Sequence, residues 1–257
     1  MNIYKLILIG LYLIFYLLLS GCAQNQATGQ RQLVLLSPEQ EQDIGSKEHP
    51  KVLKAFGGIY EKDELNNYVS SLGEKLAKLS EQPNIRWKFT VLDSPLVNAF
   101  ALPGGYVYIS RGLLSLTNDE SELASVLGHE IAHITARHTA QRHAKSTISE
   151  IGLNILDIVV GQPIISNAAS LGARGAIAAF SRSEEIEADI IGKRYIISAG
   201  YDSNASYRFL KRLNDLTALS NENNKNFIVS IFATHPRTEE RMKKVKDDIF
   251  YNDEKAI

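Results

Sequence analysis

The sequence predicts one α+β domain that is mostly helical and carries a small sheet. Two long stretches, 117–141 and 183–199, repeat apolar residues at three- and four-residue spacing, the period of a helix packed on a core. Between the N-terminus and the first of them, Tyr106-Val107-Tyr108-Ile109 is aromatic and β-branched and follows Gly104-Gly105, which suits a strand entered from a tight turn. The chain has 257 residues, 44% of them hydrophobic, enough for one well-buried domain once an N-terminal leader is set aside. No internal repeat is present. A formal charge of −1 gives no reason to expect nucleic acid as a partner.

The first helix is expected to start at Thr117-Asn118-Asp119-Glu120. There the Thr hydroxyl and the Glu three residues on form a capping box, and Asp119, Glu120 and Glu122 suit the positive helix end. Leu123, Val126, Leu127, Ile131 and Ile134 form its apolar stripe, and the run continues through Arg137 and Gln141 without Gly or Pro. Within it stands His129-Glu130-Ile131-Ala132-His133. Residues four apart share a helix face, so His129 and His133 can place two neutral ring nitrogens on one metal ion. Glu130 lies one step round the helix, close enough to act on water at the metal without being a ligand.

A catalytic site of this kind needs a third protein ligand. The second helix, expected over 183–199 and ended by Gly200, carries Glu185-Ile186-Glu187-Ala188-Asp189. Glu185 and Asp189 again stand four apart. Glu185 can bind the metal, and Asp189 can take the N–H of a ligating His and fix its tautomer. Glu184 and Glu187 point elsewhere on such a helix, while Ile186, Ile190, Ile191 and Ile197 supply apolar contacts.

His-Glu-x-x-His followed by Ser181-Arg182-x-x-Glu185-x-x-Ala188-Asp189 resembles the gluzincin metallopeptidases of the HtpX and CAAX-prenyl-endopeptidase type. The layout is most like that of the periplasmic lipoprotein members such as BepA and LoiP. Two further stretches carry the resemblance, which covers about residues 35–250. Asn98 to Gly105 followed by Tyr106-Val107-Tyr108-Ile109 is similar to the family's active-site edge strand, and Thr234-His235-Pro236 with Arg241 is similar to its C-terminal His and Arg. The resemblance implies a zincin fold with one Zn2+ per chain on His129, His133 and Glu185, and Glu130 as general base. It also implies Asn98, Ala99 and Phe100 as substrate-binding positions on a strand edge that holds an extended peptide by main-chain hydrogen bonds. His235 and Arg241 would stabilise the oxyanion of the tetrahedral intermediate. In the BepA-like members the corresponding His can instead close onto the metal and hold the enzyme latent.

At the N-terminus, residues 6–19 are almost wholly apolar, and Leu19-Ser20-Gly21-Cys22 resembles a bacterial lipoprotein cleavage box. Cys22, the single cysteine, would become the acylated mature N-terminus and leave none for disulfides. Ala23 after it resembles sorting to the outer membrane. The expected organisation is a signal peptide over 1–21, a lipidated tether over 22–36 and a metalloprotease domain over 37–257. The basic run Arg137, His138, Arg142, His143, Lys145 is expected on a solvated helix face, 153–175 as a covering helix and flap, and 221–226 as a polar loop.

The functional expectation is a zinc endopeptidase on the periplasmic side of a membrane, anchored by lipid to the inner leaflet of the outer membrane. It would act on unfolded or misassembled envelope polypeptides, with the outer-membrane assembly machinery as a further candidate partner. The alternative is a chaperone-like assembly factor whose protease site is latched or rarely used.

Overall fold

A computed structural model describes residues 22–33, 36–144, 180–219, 231, 235 and 239–253. The apolar leader over 6–19, the segment 153–175, the loop 221–226, Thr234 and Pro236 lie outside the described residues. Cys22–Gln24 (β1) and Arg31–Leu33 (β2) pair as an antiparallel hairpin within the stretch expected as a tether. Then come helices α1 (Pro38–Ala55) and α2 (Asp63–Ala77), strands β3 (Lys88–Leu92), β4 (Ala99–Leu102) and β5 (Tyr106–Ser110), and the short helix α3 (Arg111–Leu114). Helix α4 (Glu120–Thr135) is followed by a helical run over 138–144, and the rest is α5 (Arg182–Ser198), α6 (Ala205–Leu219) and α7 (Glu239–Asp253).

The three-stranded sheet has the order β3-β5-β4, with β5 parallel to β3 and antiparallel to β4. Side chains alternate across it, as the pleat requires. Phe89, Val91, Ala99, Ala101, Val107 and Ile109 join the main core shared with α2, α4 and α5. Leu92, Phe100, Leu102 and Tyr108 face the other way, where Val52 of α1 covers them. Gly104 and Gly105 make the β4–β5 turn at φ 80° and 93°, a backbone that side-chain-bearing residues adopt only under strain. In this order β5 is the central strand, and β4 stands at one end of the sheet among the described residues.

Helix α4 is buried nearly all round, with His129 the one residue from Leu123 to Thr135 that is not fully enclosed. Its N-cap is Asp119, whose carboxylate accepts from the Glu122 N–H at 2.8 Å, and not the expected Thr117, whose hydroxyl donates to the Leu114 carbonyl at 2.8 Å. The helix also ends earlier than the unbroken apolar run predicts. It stops at Thr135 because Arg137 takes a left-handed φ of 64°, and the chain restarts as a helix in a new direction. That turn buries His138 and leaves Arg137, Arg142 and His143 half-buried, so these four do not form the expected solvated face, and Lys145 lies outside the described residues.

Helix α5 starts at Ser181, where Ser181 and Glu184 form a reciprocal capping box, and Gly200 follows its C-cap at φ 84°. Its apolar face differs from the expected one. Ile190 and Ile197 are 42% and 40% exposed, and the buried face carries Glu185, Ala188, Asp189, Ile191, Gly192, Tyr195 and Ile196. Two of those positions are acidic because this face looks onto the histidines of α4.

The α4–α5 crossing is set by two glycines. A Cβ on Gly192 would stand 2.8 Å from both the Gly128 carbonyl carbon and the His129 nitrogen, closer than such contacts allow. The missing side chain lets α5 bring Glu185 and Asp189 within reach of His129. Gly192→Ala should therefore push the helices apart at the site, lowering Tm by about 3–10 °C as an overpacked core position does. A thermal melt and metal titration check this, with metal affinity expected to fall alongside.

Candidate metal centre

Four side chains converge beside the α4–α5 crossing. His129, His133, Glu185 and His235 each offer one ligand atom, all within 4.8 Å of one another. His129 Nε2 is 3.1 Å from His133 Nε2 and 3.2 Å from His235 Nδ1. Glu185 Oε1 is 2.9 Å from His235 Nδ1 and 3.4 Å from His133 Nε2. A tetrahedral ion with ligands at about 2.0–2.1 Å holds them about 3.3 Å apart, so these four separations match edges of a metal-sized tetrahedron. The donor set of imidazoles and one carboxylate fits zinc and similar transition ions.

Three of these four side chains are held from behind. Asp189 Oδ1 is 2.9 Å from His129 Nδ1, which fixes the proton there and leaves Nε2 as the donor atom. Asp189 is held in turn by Arg241 of α7, whose Nε and Nη2 donate to its two oxygens at 2.7 and 2.8 Å. Arg241 Nη1 reaches Glu185 Oε2 at 2.6 Å. Arg241 is thus buried and joined to the two carboxylates of α5. Behind His133, His138 Nδ1 lies 3.0 Å from His133 Nδ1, and His138 Nε2 lies 2.9 Å from Glu187 Oε2. Phe180 stacks on the His133 ring at 3.7 Å between centroids and 15° between planes.

The buried cluster couples carboxylates to imidazoles, and each shifts the others. Burial alone would keep the His129 ring neutral, yet its bonds to Asp189 and Glu185 outweigh that and raise its pKa to about 10. Burial opposes the charge on Glu185 and Asp189 too, but His235 and the His129 and His133 bonds lower the first, and Arg241 chiefly lowers the second. Burial and the neighbouring His129 push His133 well below its ordinary value, favouring the neutral ring a metal needs. Glu130 is raised, because burial outweighs the attraction of His235 and His129. Its Oε1 lies 3.4 Å from His235 Nε2, and its Oε2 has no hydrogen-bond partner among the described residues.

A cleft opens beside the cluster, lined by Ala99 of β4, Val126 and Glu130 of α4, Phe209 and Leu213 of α6, and Ile231. The expected substrate positions fall at its edge in different ways. Ala99 faces it, whereas the Phe100 ring turns to the opposite side of the sheet and packs on Phe56 and Tyr108 at 5.2 and 4.9 Å. Asn98 is buried, its N–H donating to the Ser110 hydroxyl at 3.0 Å. The side chain of Cys22 and the residues before it lie outside the described residues. His138 and Glu187 were not expected in the site. The signals available for them were a histidine five residues beyond His133 and a second glutamate two beyond Glu185.

A buried His-Glu-x-x-His helix crossed by a second helix that supplies a glutamate defines a metallopeptidase-type centre. Residues 63–249 match the model of peptidase family M48, and the chain belongs to that family. It is 30% identical over 216 residues to the beta-barrel assembly-enhancing protease of Escherichia coli (strain K12), covering 80% of this chain and 43% of that protein. It is 33% identical over 184 residues to the mitochondrial metalloendopeptidase OMA1 of Schizosaccharomyces pombe, covering 70% of this chain and 52% of that one. With OMA1 of Arabidopsis thaliana the identity is 33% over 167 residues, or 65% of this chain and 32% of the relative. The chain thus spans about a third to a half of these relatives.

Proposed function

We propose that this chain is a zinc-dependent endopeptidase of the bacterial cell envelope that cleaves unfolded or misassembled envelope polypeptides. The observation that carries the reading is the convergence of His129, His133 and Glu185 on one metal-sized point, with Glu130 beside it. Zinc, when bound there, supplies a positive charge that acidifies water and polarises the scissile carbonyl. Glu130, made more basic by burial, takes the proton of the attacking water and returns it to the leaving nitrogen.

The polypeptide substrate is supported by the strand beside the site. Ser110 N–H donates to the Asn98 carbonyl at 2.9 Å. In an antiparallel pair such bonds alternate, so the main-chain groups of Ala99 and Ala101 turn away from β5. An extended peptide can pair with them without regard to its sequence. The apolar lining by Val126, Phe209, Leu213 and Ile231 would seat the kind of side chain that misfolded proteins expose.

His235 favours a latent resting state. Its Nδ1 occupies the fourth corner of the tetrahedron, where a catalytic site keeps room for water. The same side chain, turned out, would have Nε2 free to serve the oxyanion. A latched site also suits the second reading, an assembly factor that holds outer-membrane strands and rarely cuts them. Casein digestion by purified protein, with and without a chelator, tests the proposal. Chelator-sensitive cleavage is expected, and cleavage indifferent to the chelator would contradict it.

Placement in the envelope is proposed from the box at 19–22 and the names of the bacterial relatives. Among the described residues no helix is long and apolar enough to cross a membrane. Cys22→Ser should block acylation and leave an unprocessed precursor. Metabolic labelling with a fatty acid checks this, and label on the mutant would refute the assignment.

A further inference from the structure

His129 has its own carboxylate behind it, but His133 does not. What stands behind His133 is a second imidazole. His133 and His138 are both buried, at 0% and 2% exposure, and their Nδ1 atoms face each other at 3.0 Å. One proton must lie between two such nitrogens, and the rest of the geometry decides which ring carries it. His133 Nε2 is turned to the metal cluster and must present a lone pair, so its proton sits on Nδ1 and is donated to His138. His138 then carries its own proton on Nε2, where Glu187 Oε2 accepts it at 2.9 Å. A single chain of donors results, from the metal ligand through a neutral imidazole to a carboxylate.

The fold makes this contact at a cost in backbone conformation. On a continuous helix, residues five apart point about 140° away from each other, so His138 could not reach His133. The left-handed Arg137, at φ 64°, breaks the helix and folds His138 back. Arg137 is held in that turn by an ion pair to Glu41 of α1 and a hydrogen bond to the Leu36 carbonyl. The freed carbonyls of α4 are taken by the N-terminal hairpin and its flank: Asn25 donates to Thr135 at 2.9 Å and Gln32 to Ala136 at 3.2 Å. Gln30 donates to Glu187 Oε1 at 3.3 Å. Left-handed backbone at a non-glycine residue persists only where its surroundings hold it.

We propose that His138 and Glu187 are positioning residues for the metal ligand His133, fixing its tautomer and ring orientation through an imidazole-to-carboxylate relay. The inference rests on the reading of His129, His133 and Glu185 as metal ligands. The carboxylate raises the electron density at His138 Nδ1, which polarises the His133 N–H and strengthens Nε2 as a donor. This is the service Asp189 performs for His129 directly.

The test is zinc affinity by chelator competition on the full chain, together with the visible spectrum of the cobalt-substituted protein, which reports ligand geometry and not fold. His138→Leu removes both ends of the relay and should weaken zinc by about 10–100-fold and alter the cobalt bands. His138→Asn keeps an acceptor where Nδ1 stands and should recover most of the affinity. Glu187→Gln, at a position only partly buried, leaves the fold undisturbed while removing the charge, and should shift the cobalt spectrum with a smaller loss. If His138→Leu and Glu187→Gln both bind metal as wild type does while Glu185→Ala loses it, the relay is overturned and the metal reading stands. If the wild type binds neither zinc nor cobalt, the metal reading falls and takes the relay with it.

Discussion

Glu130→Gln should keep its zinc and lose peptide hydrolysis by about 10²–10⁴-fold, the span that a positioned general base contributes. The substitution preserves shape, and all three expected ligands stay in place. The buried carboxylate has one oxygen 3.4 Å from His235 Nε2 and the other without a hydrogen-bond partner among the described residues, so unlike Asp189 it is not committed to holding a ligand. Its raised pKa means that it gains a proton readily, as a base must. Zinc content by metal analysis and initial rates on casein check the two halves. Normal turnover in the zinc-loaded Glu130→Gln protein would contradict the mechanism. Loss of turnover with an unchanged cellular phenotype would favour the assembly-factor reading.

Glu185→Ala should abolish stoichiometric zinc binding, whereas Glu184→Ala should retain it. Glu185 is fully buried, and Oε1 sits at a corner of the tetrahedron. Its loss also removes the buried ion pair between Oε2 and Arg241 Nη1 at 2.6 Å, so a fall in thermal stability should accompany the loss of metal. Glu184 caps its own helix and faces out. Metal analysis after dialysis separates the two variants. Equal zinc in both would place the third ligand elsewhere.

The parts of the site legible in the sequence are those set by helical period. His129 with His133, and Glu185 with Asp189, are pairs four residues apart, and each helix delivers its pair to one face whatever surrounds it. The end of α4 was not legible, because nothing between 131 and 141 breaks a helix locally. Arg137 turns left-handed on account of Glu41 and the Leu36 carbonyl, about a hundred residues away in sequence. That missed turn hid His138. Ile190 and Ile197 misled for a related reason. A helix facing a metal centre buries acidic side chains, so apolar spacing no longer marks its inner face. Arg241 is singled out by the family resemblance alone, since no local periodicity marks it. Only the fold shows that Asp189 and Glu185 draw it inward.

X-ray absorption at the zinc edge, on wild type and on His235→Ala, tests the central claim most directly. One zinc per chain is expected in both. In wild type its first shell should hold three imidazole nitrogens and one carboxylate oxygen at about 2.0–2.2 Å. In His235→Ala one imidazole should be replaced by a water oxygen. A first shell with fewer than two imidazoles, or no bound zinc, would contradict the account; an identical shell in both proteins would remove His235 from the metal.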